Sequence, residues 1–236
     1  MQLTVREVSR CLKVPESTVT NWVRQRGLPA QYIAGQYRFN RVELLEWATA
    51  NQVAVSLEVF QQQENTAEPI PSLAEALAEG GIVSQLPSVN KEEALRALVQ
   101  FLPLPDSLDR ELLLQLFLAR EALASTALGG GIAIPHVRNP IVLQVARPMV
   151  TLAFLAKPVD FGALDGKPVQ VLFSIISPTT RSHLQLLSRL SFVLRDEKFR
   201  SMLLRQAPRE ELLQEVCRVE AGLSVPPGGG GGDAAA

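Results

Sequence analysis

Two apolar runs, Met149-Val150-Thr151-Leu152-Ala153-Phe154-Leu155 and Val169-Gln170-Val171-Leu172-Phe173-Ser174-Ile175-Ile176, decide the fold of the larger part of this chain. Both read as extended and buried. A third extended run covers 132–137, with Ile132-Ala133-Ile134 at its start. Helical periodicity precedes these runs at 91–101 and 107–123 and follows them at 180–194, 196–205 and 208–219. Strands separated by helices predict an α/β layered domain with a mixed central sheet flanked by helices, spanning 72–219.

Outward from that domain the composition changes. Of the 236 residues, 47% are apolar and 20% charged, which suits one large or two modest folded domains and excludes a disordered chain. The net charge of −1 hides an asymmetry. Residues 1–52 carry seven bases and four acids, whereas 53–75 carry four acids and no base. A basic head, an acidic linker over 53–71 and a neutral body imply two domains with different partners. Within the linker, 61–71 is polar and ends in Pro69-Ile70-Pro71, a flexible span of about 18 Å. The stretch 220–236, with Pro226-Pro227 followed by five consecutive glycines, is expected to be a disordered tail. No window holds roughly 18 uninterrupted apolar residues and the N-terminus lacks a signal-peptide core, so no membrane association is expected. Cys11 and Cys217 are far apart, and a cytoplasmic location follows as the default.

In the head, Thr4 and Glu7 have the spacing of a capping box, with Val5, Val8 and Leu12 at helical intervals after it. Pro15 sits just inside a second helix whose apolar face is Val19, Trp22 and Val23. Gly27 and Pro29 stop that helix, and a hairpin spans Gln31 to Asn40 around Ala34-Gly35-Gln36. Asn40 and Glu43 start a third helix leading into Leu44, Leu45 and Trp47. The second helix would present Ser17, Thr18, Thr20, Asn21 and Arg24 opposite its apolar face, the residue types that reach base edges and phosphates in a major groove. Tyr37 and Arg38 at the hairpin tip would act as a wing. A three-helix interaction module with a solvated polar face fits the same pattern, since +3 is a modest electrostatic footprint.

The segment Leu3-Thr4-Val5-Arg6-Glu7-Val8, Leu12-Lys13-Val14-Pro15-Glu16-Ser17-Thr18-Val19, Trp22-Val23, Gly27-Leu28-Pro29, Tyr37-Arg38-Phe39 and Leu44-Leu45-Glu46-Trp47 closely resembles the excisionase branch of the MerR-like winged helix-turn-helix family. That resemblance implies DNA binding by residues 1–52, with a homodimer or tandem sites, because one such unit buries too little surface for tight specific binding.

The body has the chain's two histidines, His136 and His183. His136 ends the stretch Ser125-Thr126-Ala127-Leu128-Gly129-Gly130-Gly131-Ile132-Ala133-Ile134-Pro135-His136. Glycine-rich backbone can aim N–H groups at an anion, and a hydroxyl can donate to a phosphoryl oxygen. Arg120 closes a helix near this loop. A buried histidine in a glycine turn is the plainer reading of the same residues. Nothing supplies a third metal ligand at ordinary spacing, so neither metal nor cofactor is expected, and no Gly-x-Ser-x-Gly elbow supports a hydrolase.

Arg120-Glu121, Ser125-Thr126 and Gly129-x-Gly131-Ile132-Ala133-Ile134-Pro135-His136, with Phe161-Gly162-Ala163-Leu164-Asp165-Gly166-Lys167-Pro168-Val169 and Ser182-His183-Leu184, resemble the type-2 enzyme IIA domains of the bacterial phosphoenolpyruvate-dependent phosphotransferase system, most of all its nitrogen-regulatory branch. The resemblance implies that His136 is phosphorylated, Arg120 neutralises phosphoryl charge and His183 is a second active-site histidine, with Ser125 or Thr126 donating hydrogen bonds. It implies a histidine phosphocarrier protein as donor and a regulated enzyme or transporter subunit as a further partner. Such a protein is a phosphocarrier rather than a small-molecule enzyme. A sugar-specific IIA feeding a IIB partner, or a DNA-binding regulator independent of phosphorylation, would use the same domains. Ala127 stands where the family usually has glycine; alanine at positive φ is strained, so a local difference in the loop is expected.

Overall fold

A computed structural model describes residues 2–33, 35–51, 53, 55, 70–106, 108–137 and 145–223. Most of the linker read at 53–71, and the tail from 224 onward, lie outside the described residues.

In the head, Thr4 Oγ1 accepts from the Glu7 backbone N–H at 3.3 Å while Glu7 Oε2 accepts from the Thr4 N–H at 2.7 Å. That reciprocal cap starts α1 (Val5–Leu12). Helix α2 (Glu16–Gln25) follows, with Pro15 as the flanking residue before it rather than its first member. Gly27, at φ +64°, turns the chain out of α2. Strands β2 (Gln31–Ile33) and β3 (Gln36–Asn40) form the expected hairpin, with Tyr32 opposite Tyr37. Tyr37 and Arg38 therefore lie along β3 and not at the tip, which falls at Gly35. The hairpin gains a strand that the sequence reading missed: β1 (Gln2–Thr4) pairs antiparallel with the other edge of β3, Leu3 opposite Phe39. Helix α3 (Arg41–Ala50) starts at Asn40, whose Oδ1 accepts from the Val42 N–H at 2.9 Å. Leu3, Val8, Leu12, Val19, Leu28, Phe39, Leu44 and Trp47 fill the head's core.

The body is a mixed sheet between two helical layers. Its strands are β4 (Ile82–Leu86), β5 (Ala127–Gly129), β6 (Ile132–Ala133), β7 (Met149–Val159) and β8 (Val169–Ile176), in the order β4-β7-β8-β6-β5. The long central pair β7–β8 is antiparallel, while β4 runs parallel to β7 and β6 parallel to β8. Alternation along β7 sends Val150, Leu152 and Phe154 to one face and Ala153 and Leu155 to the other. The first face packs under α4 (Leu73–Gly80), α7 (Thr180–Val193), α8 (Glu197–Leu204) and α9 (Arg209–Ala221). The second packs under α5 (Lys91–Phe101) and α6 (Arg110–Leu123). Both faces are buried, which is why these strands read as nearly unbroken apolar runs.

Three expectations change. The run at 132–137 is a strand of two residues, after which the chain touches β8 again only through a parallel bridge between His136 and Ile175. Helix α9 runs to Ala221, two residues into the stretch read as tail. There Glu220 accepts from the first N–H groups of α4, Leu73 at 2.8 Å and Ala74 at 3.1 Å, and pairs with Arg189 at 3.0 Å. Ala127 is a buried member of β5, absent from the residues with positive φ, so it carries no backbone strain.

Head and body meet through α3, which packs on α7 and β5. Leu44 and Leu45 point to different cores: Leu44 into the head's, Leu45 into the body's. Thr49 Oγ1 lies 2.7 Å from Ser191 Oγ. Ser191 gives its proton to the Leu187 carbonyl, so Thr49 is the donor between the two hydroxyls.

Candidate functional site

His136 is held by backbone on one side and by a carboxylate on the other. Its Nδ1 is 2.6 Å from the carbonyl of Ile134, two residues back. A carbonyl only accepts, so Nδ1 carries the proton there and Nε2 is the atom aimed outward. Arg120 lies in the last turn of α6, where a cation is favoured by the helix C-terminus, and its Nη1 donates to the Ala124 carbonyl at 2.8 Å. His183, near the start of α7, places its ring 5.2 Å from that of His136, centroid to centroid. Sequence positions 120, 136 and 183 thus converge on one point, each from a different element.

Between Arg120 and His136 sits a carboxylate from the other domain. Glu46 of α3 places Oε2 2.8 Å from Arg120 Nη2 and Oε1 2.8 Å from His136 Nε2. The three side chains are all largely buried, at 14%, 7% and 3% exposure. Burial works against the Glu46 charge, but the His136 hydrogen bond and the charges of His136 and Arg120 outweigh it and hold the carboxyl below its ordinary range. With Nδ1 facing a carbonyl and Nε2 facing a carboxylate, both imidazole nitrogens act as donors in this arrangement.

His183 differs. It is completely buried, and neither ring nitrogen has a hydrogen-bond partner among the described residues. Burial, with the positive charges of His136 and Arg120 adding and the negative charge of Glu46 opposing, pushes its pKa down from 6.5 to about 3. The ring is therefore neutral, with a donor and an acceptor both unused beside His136.

The two loop hydroxyls are engaged elsewhere. Ser125 Oγ donates to the Phe161 carbonyl at 2.7 Å, and Thr126 Oγ1 donates to Glu121 Oε2 at 2.6 Å. Glu121 also accepts from the Thr126 N–H at 3.0 Å and pairs with Lys91 at 3.4 Å. These contacts brace the turn that leads from α6 to His136. The glycine loop is similarly committed, since the Gly130 N–H donates to Asp165 Oδ2 at 2.7 Å. No group of three or more His, Cys, Asp or Glu suited to a metal exists among the described residues. Beside Glu46, the junction of the two domains forms an open cleft of about 380 Å³ that Trp47, Ala50, Leu123, Leu128 and Leu187 line together with Arg120 and His136.

Glu46 is the site residue that sequence reasoning missed. The only available signal was its company. In Leu44-Leu45-Glu46-Trp47-Ala48 the apolar residues cover more than one face of α3, so the helix had to be buried on two sides.

On the far side of the head, α2 exposes Ser17, Asn21 and Arg24, while Thr18 and Thr20 are half-buried. Thr20 Oγ1 is turned back on the Ser17 carbonyl at 2.9 Å. Arg24 joins Arg6, Arg38, Tyr32 and Tyr37 around a groove of about 620 Å³ between α2 and the β-hairpin.

Comparison with known proteins agrees with this two-part layout. The model of the phosphoenolpyruvate-dependent sugar phosphotransferase system EIIA 2 family matches residues 72–218, and a helix-turn-helix domain model matches 3–52. The chain is 34% identical over 148 residues to a nitrogen regulatory protein of Pseudomonas aeruginosa, covering 61% of this chain and 93% of that one. It is 40% identical over 110 residues to a fructose-specific EIIA component of Haloferax volcanii, covering 46% of this chain and 69% of that protein. Among solved structures, nitrogen regulatory protein IIA-Ntr of Neisseria meningitidis superposes with a TM-score of 0.54 at 30% identity, covering 61% of this chain and 98% of its own.

Proposed function

The chain belongs to the phosphotransferase system EIIA 2 family, and from that membership we propose that His136 accepts a phosphoryl group from a histidine phosphocarrier protein and that the phosphorylation state governs DNA binding by the head. The observation that carries the first half is the ring geometry of His136. Nδ1 is fixed as a donor to its own backbone, which leaves Nε2 as the nucleophile, and Arg120 already holds an anion against that nitrogen. Such a transfer needs little from the protein beyond alignment and charge stabilisation. Arg120 would neutralise the incoming phosphoryl oxygens, and the unused nitrogens of neutral His183 would supply a further hydrogen bond. Ser125 and Thr126 would act through the backbone they brace. The second half rests on the helix-turn-helix match and on the arginines that line the groove beside α2. Nitrogen regulation, which the names of several relatives carry, is the proposed setting, with the chain acting in the cytoplasm. Among the described residues no helix is long and apolar enough to cross a membrane.

The test is to incubate the purified chain with phosphoenolpyruvate, enzyme I and the small phosphocarrier and to record its intact mass. One acid-labile phosphoryl group that disappears in His136→Ala is the expected result. No gain with partners shown to be competent on another IIA would overturn the proposal. The likeness to the fructose-specific component favours one second reading, a sugar IIA. It predicts onward transfer from phosphorylated His136 to a IIB domain.

A further inference from the structure

The phosphoacceptor face of the body has an occupant, and it comes from the same chain. Atom Nε2 of His136, the nucleophile in the proposed transfer, points at Glu46 Oε1 2.8 Å away. Anything bonded to Nε2 must take the place that this oxygen holds. Arg120 meanwhile spends its second guanidinium nitrogen on Glu46 Oε2. The carboxylate thus has both partners, an imidazole and an arginine, that a phosphoryl group on His136 would need. Around it, Leu45 enters the body's core and Thr49 bonds Ser191, so α3 seats as a unit. At 3% exposure, His136 is closed to the phosphohistidine of another protein while the head stays in place.

From these contacts we infer that the face around His136 is a docking surface for the head, that Glu46 stands there in place of a phosphoryl group, and that head docking and phosphorylation of His136 exclude one another. This rests on the reading of His136 as the phosphoacceptor. The sequence of events follows from the atoms. The head lifts, and the proton that Nε2 donates to Glu46 passes to water. The freed lone pair of Nε2 then forms an N–P bond as the N–P bond of the donor's phosphohistidine breaks. The bonding pair returns to the donor's ring nitrogen, which takes a proton from solvent. Afterwards Arg120 pairs with phosphoryl oxygens, and a returning Glu46 meets like charge in a poorly hydrated site. The head, with its α2 surface, is then held by the linker alone.

Two measurements on the full chain test this, with wild type, Glu46→Ala and the near-isosteric Glu46→Gln in parallel. The first is the rate of phosphoryl uptake from phosphoenolpyruvate, enzyme I and the small carrier. The second is the radius of gyration by X-ray scattering before and after uptake. Expected are a rate at least tenfold higher in both variants, an expanded radius in the variants before uptake, and expansion of wild type only after it. Equal rates together with a wild-type radius unchanged by phosphorylation would overturn the inference and leave the phosphoacceptor reading standing. Absence of uptake in all three chains would overturn both.

Discussion

The ring of His183 sits wholly inside the body, close to His136, Arg120 and Glu46, and it is held neutral far below the pH at which a free histidine protonates. Its folded pKa of about 3 lies under the ordinary 6.5, so the unfolded chain binds the extra proton first as pH falls. The stability that this neutral ring allows is complete above 6.5 and is lost progressively between 6.5 and about 3. The slope reaches at most about 1.4 kcal/mol per pH unit. Urea denaturation from about pH 5 to about pH 7 should therefore show a wild-type dependence that His183→Gln flattens. Parallel profiles for the two chains would refute the assignment. Arg120, His136 and His183 were singled out through the family resemblance, because each falls in a motif that the resemblance covers. Glu46 was not, because its role arises only where two separately folded units touch, and no spacing along the chain encodes that meeting. The backbone strain expected at Ala127 is absent, since β5 keeps that position in ordinary extended backbone.

At the level of elements, the end of the body closes on its beginning. Glu220 on α9 takes the two N–H groups that open α4, beyond the reach of the local Ser72–Glu75 cap. Removing that carboxylate leaves buried donors unmatched, which costs about 1–3 kcal/mol. Glu220→Ala should lower the urea midpoint accordingly while the rate of phosphoryl uptake changes little. A midpoint within error of wild type would show that water serves α4 equally well. Helices α5 to α9 were visible in the periodicity to within a few residues, because each is amphipathic and four of them open on a side-chain cap from Asn90, Asp109, Thr179 or Asp196. Strands β1 and β4 were not. The first is three residues long, and the second, Ile82-Val83-Ser84-Gln85-Leu86, is an edge strand half polar and interrupted at Gln85 by a positive φ. Short edges lack the unbroken apolar signature that gave away β7 and β8.

For the whole molecule, the arginine-lined groove and the carboxylate contact lie on different sides of one small domain. Arg24 and Arg38 border the groove, and Glu46 faces the body. If the groove meets phosphates, Arg24→Ala and Arg38→Ala should each weaken binding to a duplex and reduce the salt dependence of affinity by about one phosphate contact. Fluorescence anisotropy across a salt series reads this directly. Unchanged slopes in both variants would place the nucleic-acid surface elsewhere. Neither substitution touches the body, so phosphoryl uptake by His136 should be unaffected, which separates the two ends of the device.

The seat for Glu46 and the helix that delivers it are encoded in a single polypeptide, and that fact has a quantitative consequence. Two pieces of one polypeptide meet at an effective concentration that does not depend on the number of molecules in the cell. Closure is thus a unimolecular equilibrium, and dilution cannot loosen it. If phosphorylation of His136 opens the contact as proposed, the fraction of open chains follows the ratio of charged to uncharged carrier and ignores the amount of this protein. A cell could make more or less of this protein without moving the set point at which it responds.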